Sequence, residues 1–262
     1  MITISVISQK GGVGKSTTAQ ALACYLQRHS KVLLIDMDSQ CNTTYYSGTE
    51  PKRHGVLGAL NNSNTIESEI VHSDLGFDVI PCTTNFSQID VILTDIGKEF
   101  RLKEGLEIIA KNYDYCVIDT PPHVGVALIN ALTASRFTVI MAISDLFSLQ
   151  GIADINKTIN TVKKYTNTDL TVSGILINRY NSRQLLTNEL NKSFDKVANS
   201  MNTKVFKQRI RESVAIKEAQ IKRLNLLELN CNASKDFESF CKEFTYSMIE
   251  SQDKTIERNF KQ

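Results

Sequence analysis

The run Gln9-Lys10-Gly11-Gly12-Val13-Gly14-Lys15-Ser16-Thr17 follows a β-branched segment, Ile2 to Ser8, and opens a helical pattern, Ser16 to His29. Few folds accept such a loop between a strand and a helix. Gly11, Gly12 and Gly14 let the backbone curl so that successive N–H groups converge at the positive end of the helix, which makes an anion cradle. Lys15 then brings an ammonium to the β and γ phosphates of a nucleotide, and the Ser16 hydroxyl is placed to ligate Mg2+. A glycine-rich turn carrying a solvated lysine would leave the coincidence of strand, nest, lysine and hydroxyl unexplained.

Short β-branched runs alternate with longer helical patterns along the rest of the chain. Strands are expected at Ile2 to Ser8, Lys31 to Asp36, Phe77 to Ile80, Tyr115 to Asp119, Thr138 to Ala142 and Thr171 to Asn178. Several are apolar nearly throughout, which suits strands covered on both faces. Helices are expected at Ser16 to His29, Glu99 to Asn112, Gly125 to Ser135, Leu149 to Lys164 and Ser182 to Ser200. The alternation implies an α/β fold, doubly wound around a mainly parallel sheet with right-handed crossovers. With 262 residues, 42% apolar, and no segment that reads as a linker, one domain over 1–262 is expected. Its C-terminal helix, at about 234–257, places Phe237, Phe240, Cys241, Phe244 and Met248 on one face and is expected to dock on that domain.

Two further strands end in acids. Val32 to Asp38 delivers Asp36 and Asp38, and Cys116 to Pro122 delivers Asp119. In an open parallel sheet the carboxyl edge is where ligands bind, so all three can face the phosphate loop. Asp119 suits the role of holding Mg2+, directly or through water, with Asp36 or Asp38 as open alternatives. Asp38 could position the attacking water, and Asp36 could fix the loop beyond it. Lys10 lies ahead of the glycines, where its chain cannot easily reach its own γ-phosphate past the loop backbone; it can reach across a dimer.

With 30 Lys+Arg against 28 Asp+Glu, the net charge of +2 does not by itself indicate a nucleic-acid partner. Any basic site is local. The apolar stretch Val124 to Ile143 is interrupted by Asn130, Thr133, Ser135, Arg136 and Thr138, so no membrane span is expected. The N-terminus shows no basic n-region or cleavage site, which predicts a cytoplasmic protein. The six cysteines, at 24, 41, 82, 116, 231 and 241, form no CxxC pair and are expected as free thiols, Cys24 and Cys116 in the core.

The string Lys10-Gly-Gly-Val-Gly-Lys15-Ser-Thr17 is the deviant Walker A motif. With Asp36-Met-Asp38-Ser-Gln40, Asp119-Thr-Pro-Pro122 and Ile129 to Ala134, the chain from residue 2 to about residue 229 resembles the ParA/Soj partition ATPases, P-loop NTPases of the deviant Walker A kind. The resemblance implies ATP and Mg2+ as cofactors and nucleotide contacts from Lys10 to Thr17, Val13 and Thr17 included. It implies a sandwich homodimer formed on ATP binding, in which Lys10 contacts the nucleotide of the opposite subunit. It also implies that Asp38 supports a slow, partner-stimulated hydrolysis and that Asn178 contacts adenine. The ATP dimer would bind double-stranded DNA without sequence preference and associate with the nucleoid. A small ParB-like centromere-binding protein would stimulate release.

The chain departs from the family pattern in two places. Ser39 and Cys41 stand where the family usually has Pro and Gly, which matters if that Gly needs positive φ. Ala215 replaces an arginine otherwise assignable to DNA. Between Lys204 and Arg223, however, Lys204, Lys207, Arg209, Arg211, Lys217, Lys222 and Arg223 stand against Glu212 and Glu218, seven minus two giving a net of plus five. A solvated basic face is the plainer meaning of that charge; the resemblance turns it, with Arg179 and Arg183, toward DNA. The alternative is a MinD-like positioning ATPase acting on a membrane or protein cargo. That class should end in a basic amphipathic helix, whereas from Lys235 onward five basic residues meet six acidic ones.

Overall fold

The computed structural model describes residues 1–180 and 187–259. Its seven-stranded sheet runs in the order β3-β4-β2-β5-β1-β6-β7. The strands are β1 (Ile2–Ile7), β2 (Val32–Asp36), β3 (Val71–His72), β4 (Asp78–Ile80), β5 (Tyr115–Asp119), β6 (Phe137–Ile143) and β7 (Thr171–Asn178). All neighbours are parallel except β3 and β4. Six strands lie where the sequence places them; β3 is additional. It is a two-residue edge strand returning through a turn with Gly76 at φ 94°, too short to leave an alternation of its own.

The helices are α1 (Lys15–Leu26), α2 (Asn42–Tyr46), α3 (Val56–Asn61), α4 (Ile89–Ile92), α5 (Arg101–Ile108), α6 (Val126–Ala134), α7 (Leu146–Tyr165), α8 (Thr187–Ser200), α9 (Val214–Ile221) and α10 (Asn232–Asn259). The helix expected over Glu99 to Asn112 is shorter, because the main chain leaves helical geometry at Ile109 (φ −99°, ψ 5°). Helix α7 starts three residues before the expected Leu149, because Asp145 caps it by accepting from the Ser148 N–H. The helix expected from Ser182 is described only from Thr187; Arg183 lies outside the described residues.

Alternation along each central strand sorts side chains onto the two faces of the sheet. Ile4, Val6, Val32, Leu34, Val139 and Met141 pack under α1 and α10. Leu33, Ile35, Cys116 and Ile118 face α5 and α6, and Ile7, Ile140, Ile175 and Ile177 face α7 and α8. Helix α10 inserts Phe237, Phe240, Phe244 and Met248, all buried, and Phe240 meets Phe206 edge-on with ring centroids 5.1 Å apart. Phe240→Ala should cost about 3–5 kcal/mol of stability, read as a lower urea midpoint with an unchanged slope. An unchanged midpoint would mean that α10 is not part of the cooperative core.

A candidate nucleotide site at the carboxyl edge of the sheet

Neighbouring strands β2, β5 and β1 bring the acids and the glycine loop to one edge. Asp36 pairs in register with Asp119, and Asp119 with Val6, just ahead of the loop. Gly12 and Gly14 take φ values of 72° and 95°, and Gly14 immediately precedes α1 with no side-chain cap. The first N–H groups of α1 are thus left for a ligand. At Gly11 and Gly12 an added β-carbon would meet nothing within 4 Å, whereas at Gly14 it would lie 2.2 Å from the Asn178 Nδ2. Gly14 is therefore fixed by two constraints, its dihedrals and the amide above it.

A cleft of about 380 Å3 opens over the loop, lined by Gly11, Lys15, Ser16, Asp38, Arg179 and Gln220 among others. Lys15 is buried and makes no salt bridge among the described residues. Burial pushes its pKa down, and Asp119 and Asp38 partly offset this. A buried ammonium without a close partner is costly. An anionic ligand would complete it.

The three acids occupy different environments. Asp36 is fully buried and accepts three hydrogen bonds, from the Asp38 N–H at 3.1 Å, the Thr44 N–H at 2.7 Å and the Thr44 hydroxyl at 2.7 Å. Burial and the neighbouring Asp119 raise its pKa, and these bonds favour its charged form. It holds the loop after β2. Asp119, also fully buried, accepts from the Thr43 hydroxyl at 2.7 Å through Oδ2, while Oδ1 completes no hydrogen bond. Burial pushes its pKa up to about 6 against the opposing influence of the Ser16 and Thr43 hydroxyls and Lys15. An orphaned carboxylate oxygen close to a hydroxyl at the end of a phosphate cradle fits a hard cation such as Mg2+. Asp38 accepts, among the described residues, from the Gln40 N–H at 3.0 Å and lines the cleft.

Asn178, at the end of β7, donates from Nδ2 to the Val13 carbonyl at 2.7 Å and accepts the Arg179 N–H at 2.8 Å. Lys10 does not line the cleft. Its Nζ is bound to the Asp145 carboxylate, near the exposed ring of Phe147. Thr17 accepts a hydrogen bond from Gln220 at 2.9 Å. The sequence reading missed Gln220 and Thr43. The available signal for Gln220 was its place one turn after Ile216 on the buried face of α9, where a polar side chain requires a partner.

The basic residues expected on DNA occupy varied settings. Arg179 and Lys217 line the nucleotide cleft. Arg211 forms a bidentate pair with Asp236, Nε to Oδ2 at 2.6 Å and Nη2 to Oδ1 at 3.0 Å. Arg209, Arg223 and Lys204 lie over the rings of Tyr180, Tyr45 and Phe206. Lys207 and Lys222 are exposed.

Residues 1–172 match the family model described as AAA domain. The chain is 34% identical over 223 residues to the sporulation initiation inhibitor protein Soj of Bacillus subtilis (strain 168), covering 82% of this chain and 86% of that protein. A structure from Borrelia burgdorferi B31, described as a plasmid partition protein bound to AMPPNP, superposes with a TM-score of 0.78 at 25% identity, covering 95% of this chain and 99% of the other. Cobyrinic acid a,c-diamide synthase from Mycobacterium smegmatis, with bound ADP and magnesium, superposes with a TM-score of 0.75 at 27% identity, over 85% and 91% of the two chains.

Proposed function

Because the chain belongs to the Soj/ParA family of partition ATPases, we propose that it is an ATP-hydrolysing switch for partitioning DNA, whose ATP-bound dimer holds DNA without sequence preference. The observation that carries this reading is the division of labour between two lysines on one loop. Lys15 is buried in the cleft, while Lys10 is turned out of it to Asp145. A lysine that serves its own nucleotide and one held outside the cleft, which must leave Asp145 to serve a partner's, are what a sandwich dimer requires.

The N–H groups of Gly11 to Thr17 would hold the phosphates of ATP, and Lys15 would meet their charge. Ser16 and the open Asp119 oxygen would hold Mg2+, which would neutralise the phosphate charge that develops during transfer. Asp36 is committed to Thr44 and leaves Asp38 to orient the attacking water. Asn178, held against the Val13 carbonyl, would contact the adenine. A small ParB-like protein stimulates turnover and thereby releases the dimer from DNA.

The DNA surface combines Arg179, Lys204, Lys207, Arg209, Lys222 and Arg223 of two subunits, with Lys217, paired to Glu212, and Arg211, paired to Asp236, contributing less charge. A single subunit offers few phosphate contacts, and non-specific binding rests on counterion release. Log K should fall with log salt by about 0.9 per phosphate neutralised, more steeply for the ATP form than for the ADP form. Replacing one of these residues should reduce the slope by up to roughly two per dimer, with little change between sequences. The measurement is a salt series on two unrelated duplexes in each nucleotide state. Affinity independent of nucleotide, or a strong preference for one duplex, would overturn the partition reading.

A further inference from the structure

Helix α9 buries Ile216, Ala219 and Gln220, and Gln220 is the polar member of that face. It is 6% exposed and donates from Nε2 to the Thr17 hydroxyl oxygen at 2.9 Å. An amide so placed gives folding little that an apolar side chain would not. The net worth of a neutral hydrogen bond is small, and an apolar residue escapes the desolvation of the amide. What sets Gln220 apart is its place at the cleft. Both Gln220 and Thr17 line the cleft over the glycine loop, and both line the smaller adjoining pocket of about 90 Å3 that Asn178 and Arg211 share.

We propose that Gln220 is a positioning residue of the nucleotide site, which fixes the Thr17 hydroxyl so that its hydrogen is presented to a phosphate oxygen of the bound nucleotide. This rests on the ATP site described above. Gln220 deepens that site by tying it to a helix some two hundred positions away in the chain.

The chemistry of a hydroxyl explains the role. It offers one hydrogen and two lone pairs, and its hydrogen can take any of three staggered positions. With the Gln220 N–H on one lone pair, the position that points at the amide is closed and the hydrogen is left to the remaining directions. Among the described residues the Thr17 hydroxyl donates to no acceptor. An amide N–H drawing on the oxygen also strengthens the O–H as a donor. Thr17 belongs to the first turn of α1, which Gly14 opens without a side-chain cap, so its hydrogen joins a group of donors awaiting an anion. A donor held ready beside such a cradle is complementary to a phosphate oxygen.

The test places Gln220→Met, which keeps the length of the side chain and removes the donor, in the full-length wild-type, Thr17→Ser and Thr17→Val proteins. Each is titrated with a fluorescent ATP analogue and Mg2+ and assayed for phosphate release. Binding should weaken about threefold to tenfold in the wild-type and Thr17→Ser backgrounds, where a hydroxyl remains to be oriented. It should change by less than about twofold in Thr17→Val, where none does. KM should rise while kcat holds, since the contact serves ground state and transition state alike. Gln220→Glu, which when ionised only accepts, takes the Thr17 hydrogen for itself and should bind at least about tenfold more weakly than wild type. An equal loss in Thr17→Val overturns the proposal, because Gln220 would then act without the hydroxyl. So does wild-type affinity in Gln220→Met or Gln220→Glu. A wild-type protein that binds no nucleotide would remove the ATP site and the proposal together, whereas a binding wild type indifferent to residue 220 removes the proposal alone.

Discussion

Lys15→Ala is expected to lose ATP and ADP alike, by at least about a hundredfold, since charge-assisted bonds to phosphate are worth roughly 1.5–3 kcal/mol each. The glycine loop supplies dipoles, but Lys15 supplies the buried ammonium beside them in a cleft that Arg179 and Lys217 also line. Its burial makes the prediction sharper. Desolvation already lowers its pKa, so the charged form is disfavoured until a phosphate arrives. Deleting the ammonium should leave the nucleotide-free protein as thermally stable as wild type, and Lys15→Met, which keeps the volume, guards against a cavity effect. Titration with a fluorescent ATP analogue, alongside a melting curve, separates lost binding from lost folding. Wild-type affinity in either variant would remove the phosphate-cradle assignment.

Asp38→Ala should behave in the opposite way, keeping ATP and dimerising while turnover falls by about 10²–10⁴, the usual contribution of a positioned base. Asp38 also anchors its loop by accepting the Gln40 N–H, so Asp38→Asn is the cleaner variant. It retains an acceptor oxygen and loses only the charge. Lys10→Ala should bind ATP as a monomer. Light scattering with ATP and a phosphate-release assay distinguish the three proteins. An ATP-dimeric Lys10→Ala protein with normal turnover would eliminate the trans-lysine, and an Asp38→Asn protein of normal rate would move the catalytic role elsewhere.

Much of the site is legible in the sequence because it is made by backbone. Three glycines, a lysine and a hydroxyl within nine residues specify a nest whatever surrounds it, and strand-ending acids reach one edge once the sheet is parallel. What is illegible depends on contacts between distant segments. Lys10 meets Asp145 across 135 positions, and Gln220 meets Thr17 across 203; no local period encodes either pair. Asp36 and Asp119 look equivalent as letters, and only their hydrogen-bond partners separate a saturated carboxylate from one with an open oxygen. The departure at Cys41 is visible as a missing glycine, but that Cys41 itself takes the positive φ, 54°, is not. Arg211, which looked available from local charge, is occupied by Asp236 from another helix.

In the proposed sandwich dimer, the contact between Lys10 and Asp145 would give assembly a threshold. Both side chains are about one-third exposed, at 33% and 32%, and pairs of that kind contribute roughly 0.2–1 kcal/mol. A chain then has Lys10 released between about two-fifths and one-sixth of the time, and apparent affinity scales with that competent fraction. Two chains would have to release together for that dimer, so the fraction would enter squared and weaken association by about sixfold to fortyfold. Salt acts on this threshold and on DNA in opposite directions. Added ions should screen the resting pair and ease formation of the proposed dimer, while the same ions should loosen that dimer's hold on phosphates.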